Sequence, residues 1–182
     1  MPDKTLIINA LLFQIAWLLG VVVGGWWVLL AFIPLLMHFV HTCDNARLDI
    51  AVVAAVMVPG VLIDCLLAAA DIYHFFSADL VLGIPGWLWL LWCGFGLTIN
   101  RSLRWAFSGV WLFPVLCLVS GPFSYFAGRR LGAVEFEFSA LYWMLPQWLC
   151  IAGLVTVLMA RTQSLPFRPP AFIRHLRGIA HS

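Results

Sequence analysis

Residues 121–133 read GPFSYFAGRRLGA and contain two adjacent arginines, Arg129 and Arg130. A guanidinium group donates paired hydrogen bonds that suit the oxygens of a phosphate or a carboxylate. One interpretation of this segment is therefore a binding site for an anionic group, with a backbone shaped by glycine and proline. The other is a solvated, locally neutral turn, because Glu135 and Glu137 follow closely and exposed ion pairs are weak.

Asp64 lies inside an apolar stretch, where a carboxylate at the centre of a membrane helix costs about 2.5–3.5 kcal/mol. The side chain must therefore face the protein interior, and two roles fit it. It is either a proton or ligand site, or an acceptor that joins helices by hydrogen bonds from Gln147 or Ser120. Asp71 follows two helical turns later, so we expect the two carboxylates to share one helix face and one route outward.

The polar residues of the apolar stretches form two layers when depth is counted at about 1.5 Å per residue. The outer layer lies within about 15 Å of one surface, beneath Tyr125 and Arg129. The candidates for ligand or headgroup binding there are Asp64, Tyr125, Arg129, Arg130 and Gln147. The inner layer lies toward the opposite surface and consists of Asn9, Gln14, His38 and Asn100.

Other chemistries lack their residue sets in this sequence. His38 and His41 have the i, i+3 spacing of metal ligands, but the remaining histidines lie far away, so we predict no metal site. The five cysteines are scattered singly and are interpreted as reduced packing residues. We recognise no nucleophile motif, no HExxH and no phosphate-binding glycine loop, so we predict no cofactor and assign no catalytic residue. The sequence favours a role other than that of an enzyme.

The composition indicates the element class that must position these residues. The 182 residues are 64% hydrophobic and 10% charged, with a mean hydropathy of +1.02. Soluble domains carry about 25% charged residues, so this composition is typical of an integral membrane protein. The net charge is only +2, and the basic residues lie near the ends of the predicted membrane spans. We therefore predict no nucleic-acid partner.

A transmembrane helix needs about 20 residues, and residues 5–43 contain no Asp, Glu, Lys or Arg, which is enough for two helices. The sequence GGWW at 24–27 supplies the turn between them. We predict an all-α fold in which residues 1–160 form one bundle of six transmembrane helices. The predicted spans are about 6–23, 26–43, 50–70, 80–100, 105–126 and 138–160. Residues 161–182 form a short basic cytoplasmic tail, either lying on the membrane surface or disordered.

The distribution of basic residues predicts the orientation. Six spans place eight of the ten Lys and Arg residues on the side of the two termini: Lys4, Arg47, Arg101, Arg104, Arg161, Arg168, Arg174 and Arg177. Only Arg129 and Arg130 lie on the other side. Because cytoplasmic loops carry the excess of Lys and Arg, we predict a multi-pass protein of the bacterial inner membrane with both termini cytoplasmic.

The sequence resembles an uncharacterised family of proteobacterial inner-membrane proteins, domain of unknown function 2878. The resemblance covers most of residues 6–160. Its most specific parts are PGWLWLLWCGFGLTINRSLRW at 85–105 and GPFSYFAGRRLGA at 121–133, and it also includes Asn9, Gln14, Trp17, His38 and Asp64. It implies a small multi-pass protein, often encoded beside cyclopropane-fatty-acid-synthase-like enzymes, and therefore a lipid context.

Three hypotheses for function follow. The first is a lipid-associated protein that binds an acyl lipid or assists a membrane enzyme that modifies fatty acids. The second is a small proton-coupled transporter that uses Asp64. The third is a structural subunit of a larger membrane complex. The expected partners are membrane lipids, together with a membrane-protein partner or further copies of the chain.

Overall fold

The computed structural model describes residues 4–162. Six α-helices follow one another along them, with the bounds α1 Lys4–Leu18, α2 Leu29–His41, α3 Ala46–Ala69, α4 Gly86–Ile99, α5 Leu112–Arg130 and α6 Leu141–Thr162. A π-helical turn at Leu19–Val23 extends α1. Short 3₁₀ segments lie at Gly25–Val28, Arg104–Ser108 and Phe138–Ala140. Most of the tail predicted for 161–182 lies outside the described residues.

Two small antiparallel strand pairs lie in the connections. The strands are β1 His74–Phe75, β2 Leu80–Val81, β3 Ile84–Pro85 and β4 Val134–Glu135. β2 and β3 form a hairpin, whereas β1 pairs with β4, His74 opposite Glu135 and Phe75 opposite Val134. The second pairing joins the α3–α4 connection to the α5–α6 connection at one end of the bundle, which we call the strand end.

Several helix bounds differ from the predicted spans because local turn residues interrupt apolar stretches. The fourth span was predicted from 80, but α4 begins at Gly86. Leu82 and Gly83 have φ values of +54° and +85° there and make the β2–β3 turn. The predicted turn between the first two spans is present, because Gly24 and Gly25 have φ values of +74° and +56°. Hydropathy alone does not detect such turns inside an apolar segment.

The fifth helix lies later in the chain than predicted. Residues 104–108 form a 3₁₀ segment, α5 begins at Leu112, and it continues through Arg129 and Arg130. The two arginines therefore lie in the last helical turn, where the helix dipole favours positive charge. Leu131 and Gly132, with Gly132 at φ +79°, then end the helix.

The helices pack in the neighbour order α1, α4, α3, α6 and α5, with α2 against α1 and α4. Three helical segments are long and apolar enough to cross a membrane: Lys4–Val23, Ala46–Ala69 and Phe138–Arg161. Two shorter apolar segments are Gly25–His41 and Gly86–Ile99. The outer faces are also apolar; on α3, for example, Val58, Leu62 and Leu66 are all more than half exposed. A soluble bundle presents polar outer faces, so this surface is consistent with a membrane protein.

Candidate functional site

Asp64 of α3 is completely buried and accepts hydrogen bonds from three other helices. The Trp92 Nε1 of α4 donates to Oδ2 at 2.7 Å. The Tyr125 hydroxyl of α5 lies 2.7 Å from both carboxylate oxygens. The Gln147 Nε2 of α6 donates to Oδ1 at 2.9 Å. We call these four residues the Asp64 cluster; because each comes from a different helix, the carboxylate ties together α3, α4, α5 and α6.

Two glycines allow the aromatic residues of this region to approach the helix backbones. A Cβ atom on Gly60, one turn before Asp64, would lie 2.4 Å from the ring of Trp92. A Cβ atom on Gly121, one turn before Tyr125, would lie 2.1 Å from the ring of Trp148. Side-chain atoms do not approach so closely without a shift, so glycine at both positions is required for this packing.

Tyr73 covers the Asp64 cluster toward the strand end. It is only 2% exposed and stacks on Tyr125, with ring centroids 5.3 Å apart. The rings of Phe75 and Phe136, carried by β1 and the residue after β4, pack edge-on against it at 6.0 and 5.8 Å. Burial raises the pKa of Tyr73, so its hydroxyl stays protonated. That hydroxyl has no hydrogen-bond partner among residues 4–162.

The predicted pairing of Asp64 with Asp71 along one helix face is wrong. α3 ends at Ala69, and Asp71 lies in the following turn with φ +56°. Asp71 is exposed there, whereas Asp64 is enclosed beneath Tyr73 and Tyr125. Ser120 also stays apart from the carboxylate, because its hydroxyl donates to the backbone carbonyl of Leu116 at 2.7 Å. Of the residues proposed as partners of Asp64, the structure brings Gln147 into contact.

A groove of about 500 Å³ lies between α1 and α5, with α4 and Trp148 of α6 as its floor. Its lining is mainly aromatic and aliphatic: Phe13, Trp17, Leu88, Leu91, Trp92, Phe95, Phe123, Tyr125, Ala127, Leu131 and Trp148. The polar residues at its wall are Gln14, Ser120 and Ser124. The two serine hydroxyls bond to carbonyls of their own helix at 2.7 Å, so the groove offers an apolar surface.

The groove and the Asp64 cluster share two side chains. Trp92 and Tyr125 line the groove, and both donate hydrogen bonds to Asp64 behind it. The carboxylate therefore fixes the orientation of two groove walls. At the rim, Phe123 is 73% exposed and Leu131 is 49% exposed, so the groove is continuous with the apolar outer surface.

The two adjacent arginines have different surroundings. Arg129 forms an ion pair with Glu135, with its Nη2 and Nε atoms 2.6 and 2.7 Å from Oε1. Its guanidinium also lies over the ring of Phe136, 5.4 Å from the centroid. Arg130 is exposed and forms no ion pair with any residue in 4–162. Arg129 is thus neutralised locally by Glu135, although it lies in α5 and not in a turn, whereas Arg130 has no such partner in the described part of the chain.

The residues predicted as an inner polar layer do not form one cluster. Asn9 is buried and accepts a hydrogen bond from the Ser102 hydroxyl at 2.7 Å. Asn100 donates to Asp49 at 2.7 Å. Gln14 lies at the groove, and both ring nitrogens of His38 are buried without a hydrogen-bond partner in the described part of the chain.

A buried ion pair that the sequence pattern does not reveal lies at the end opposite the strand end. The Nη2 atom of Arg101 lies 2.9 Å from Oδ2 of Asp49, and the two side chains are 10% and 3% exposed. The Arg101 Nε atom also donates to Thr42 at 3.0 Å. In the sequence, Arg101 contributes only to the predicted orientation of the spans. Asp49 lies in the first turn of a helix, where an acidic residue is ordinary, so its type and position gave no signal.

Trp92 was also missed as a partner of Asp64, although it lies in the quoted motif at 85–105. Tryptophan in an apolar segment is usually interpreted as packing or an interfacial anchor, and only its neighbours reveal the indole N–H as a donor. All five cysteines are free. Among residues 4–162, no group of three or more His, Cys, Asp or Glu side chains is placed to hold a metal ion.

Comparisons with curated proteins and with solved structures gave no match. A comparison with protein families gave a match to the family described as "Protein of unknown function (DUF2878)", over residues 6–157. The match includes all six helices in whole or in part, all four residues of the Asp64 cluster and the residues that line the groove. The chain therefore belongs to the DUF2878 family.

Proposed function

We propose that this protein spans the bacterial inner membrane and holds an acyl chain of a lipid in the groove between α1 and α5. The observation that carries the proposal is the groove itself, which is lined by aromatic and aliphatic side chains and is continuous with an apolar outer surface. Its volume of about 500 Å³ is within the usual range for small-molecule sites, about 300–1,000 Å³.

The proposed topology has six spans with both termini in the cytoplasm. In support, successive helices run in opposite directions. The start of α3 and the end of α4 meet at one end of the bundle, where Asp49 contacts Arg101. The α3–α4 and α5–α6 connections meet at the other end, where β1 pairs with β4. α4 has 14 residues, fewer than the about 20 needed to cross a bilayer alone. Most of its side chains are buried by neighbouring helices, and such protein-enclosed segments do not have to meet lipid along their whole length.

A groove that opens sideways onto lipid suits an acyl chain better than a water-soluble ligand. Its wall presents few polar atoms, and the serine hydroxyls on it are already bonded within their own helix. A water-soluble ligand would lose hydration there without gaining hydrogen bonds. An acyl chain has no hydrated polar groups to lose, and its affinity comes from close packing against the aromatic walls.

The Asp64 cluster supports this function as a positioning element. Both carboxylate oxygens already accept hydrogen bonds, and Tyr73 covers the cluster on one side. A transporter that uses Asp64 would need this carboxylate to exchange protons or ions with water. The enclosed geometry favours a fixed structural role, in which Asp64 keeps Trp92 and Tyr125 in place as groove walls.

A pair of tryptophan substitutions on α5 tests the proposal. Ser120→Trp fills the groove, whereas Val119→Trp places the same side chain on the neighbouring outward position, which is 66% exposed. The full chain is extracted in a mild detergent and washed, and the retained phospholipid per protein is measured by mass spectrometry. We expect wild type and Val119→Trp to retain lipid and Ser120→Trp to lose it. Equal retention by both variants, or no retained lipid in wild type, contradicts the proposal.

A further inference from the structure

We infer that the groove binds an anionic phospholipid, with the lipid phosphate at Arg130 and one acyl chain between α1 and α5. This inference rests on the proposed function and specifies the class of lipid. It also distinguishes two neighbouring arginines that the sequence presents as equivalent.

The position of Arg130 on α5 follows from helical periodicity. Phe123, Ala127 and Leu131 line the groove and are spaced by four residues, so they form one stripe along the helix. Successive residues are rotated by about 100°. Arg130 is therefore about 60° from Ala127 and lies beside the groove stripe, whereas Arg129 is about 160° from Ala127 and pairs with Glu135 of β4.

The electrostatic surroundings of the two arginines agree with this division. Arg129 is neutralised by Glu135 and held over Phe136. Arg130 has no acidic partner among residues 4–162, and its side chain is exposed. An exposed guanidinium beside a bilayer surface presents a planar set of donors that matches phosphate oxygens. Of the two arginines, Arg130 is therefore the one that a lipid phosphate can reach without displacing a carboxylate.

The length of the groove fits a lipid of one leaflet. Ser120 and Leu131 mark its extent along α5, about 16 Å at 1.5 Å per residue. The hydrocarbon core of a bilayer is about 30 Å thick, so the groove reaches from the position of Arg130 to about the midplane. A phosphate at Arg130 thus leaves an acyl chain with a continuous apolar path. A soluble phosphate compound would interact only with the charge of Arg130 and would leave the apolar groove empty.

The test measures which lipid the protein selects. The full chain is reconstituted into vesicles of equal parts phosphatidylglycerol and phosphatidylethanolamine, extracted in mild detergent, and its retained lipids are quantified. We expect the ratio of phosphatidylglycerol to phosphatidylethanolamine retained by wild type to be about five times the input ratio, the factor that corresponds to about 1 kcal/mol for one basic residue at a membrane surface. Arg130→Gln should retain the two lipids at the input ratio, whereas Arg129→Gln should keep the enrichment.

Further arms separate this inference from the proposed function. Arg130→Lys keeps the charge and should restore part of the preference, which distinguishes electrostatic recognition from a folding defect. Excess glycerol 3-phosphate should not displace the retained lipid. Unchanged phosphatidylglycerol enrichment in Arg130→Gln, a preference for phosphatidylethanolamine, or displacement by glycerol 3-phosphate overturns the inference but leaves acyl-chain binding intact. A wild-type protein that retains no phospholipid overturns both.

Discussion

The Tyr125 hydroxyl and the Asp64 carboxylate are 2.7 Å apart, although 61 positions separate the two residues along the chain. Tyr125 also lines the groove between α1 and α5, whereas Asp64 is enclosed behind it. A buried carboxylate thus holds an aromatic side chain at the wall of the groove. This relationship connects the stability of the bundle with the shape of the proposed lipid site.

Replacement of Asp64 by asparagine should destabilise the protein. The substitution keeps the size of the side chain but exchanges one acceptor oxygen for an NH₂ group, which faces the donors of the Asp64 cluster. A buried donor left without an acceptor costs about 1–3 kcal/mol, and we expect a loss of this size in the free energy of unfolding in detergent. Asp71→Asn is the matched control: it is exposed at φ +56°, a conformation that asparagine adopts readily. Equal destabilisation by both variants would show that the Asp64 hydrogen bonds are unimportant.

Two glycine-to-alanine substitutions should have opposite effects. Gly60→Ala places a Cβ atom 2.4 Å from the ring of Trp92, and overpacking of this kind costs about 1–3 kcal/mol. Gly153 of α6 has no atom within 4 Å of the corresponding position, so Gly153→Ala should stabilise the helix by about 0.5–1 kcal/mol. Thermal unfolding of the purified variants measures both. A stabilising Gly60→Ala would mean that Trp92 does not pack against this backbone.

The two ion pairs should differ in their contribution to stability. Asp49→Ala leaves the 10% exposed Arg101 without its carboxylate, and breaking a buried pair in this way costs about 3–5 kcal/mol. Glu135→Ala breaks an exposed pair with Arg129, for which about 0.2–1 kcal/mol is expected. Chemical unfolding of both variants in the same detergent provides the comparison. Similar losses for the two would contradict the buried character of the Asp49–Arg101 pair.

The labelling of Cys43 should depend on pH in a way that Asp49 controls. Cys43 lies in the connection between α2 and α3 and donates to Asp49 Oδ2 at 3.2 Å, and this hydrogen bond raises the pKa of the thiol. Because the thiolate is the reactive form, maleimide labelling should become half-maximal above the usual thiol pKa of about 8.5.

The control compares two proteins in which the other four cysteines are replaced by alanine. Asp49→Asn removes the carboxylate charge and leaves Arg101, which lowers the pKa of Cys43, so the labelling profile should move to lower pH. The labelling rate is measured over a series of pH values in detergent. An unchanged profile would show that the Cys43–Asp49 hydrogen bond does not form in solution.

The proposed topology predicts opposite accessibility at the two ends of the bundle. In a cysteine-free background, Arg130→Cys should react with a membrane-impermeant maleimide in intact spheroplasts. Lys4→Cys should react only after the membrane is permeabilised, because the terminus is expected in the cytoplasm. Reaction of both positions from the same face would rule out six spans with cytoplasmic termini. The proposed placement of the Arg130 end of the groove at the outer surface would then be wrong.

Part of this architecture could be predicted from local sequence. Long uncharged stretches predict membrane helices, because a helix surrounded by lipid needs apolar residues along its whole length. The hydropathy of one continuous segment is enough to detect this. Hydropathy does not distinguish the β2–β3 hairpin from α4, since residues 80–85 are as apolar as the helix that follows. The same criterion does not predict that α5 continues through Arg129 and Arg130, because charged residues mark the end of an apolar span.

The sequence by itself determined the helical class and the requirement that Asp64 face inward, since a carboxylate in an apolar segment has few alternatives. The tertiary structure decided which donors reach it: Trp92, Tyr125 and Gln147 are 28, 61 and 83 positions away and meet it only through helix packing. It also decided that Arg129, and not Arg130, pairs with Glu135. Such contacts depend on the register between helices, which is set by the packing of side chains from distant segments and cannot be read within any one of them.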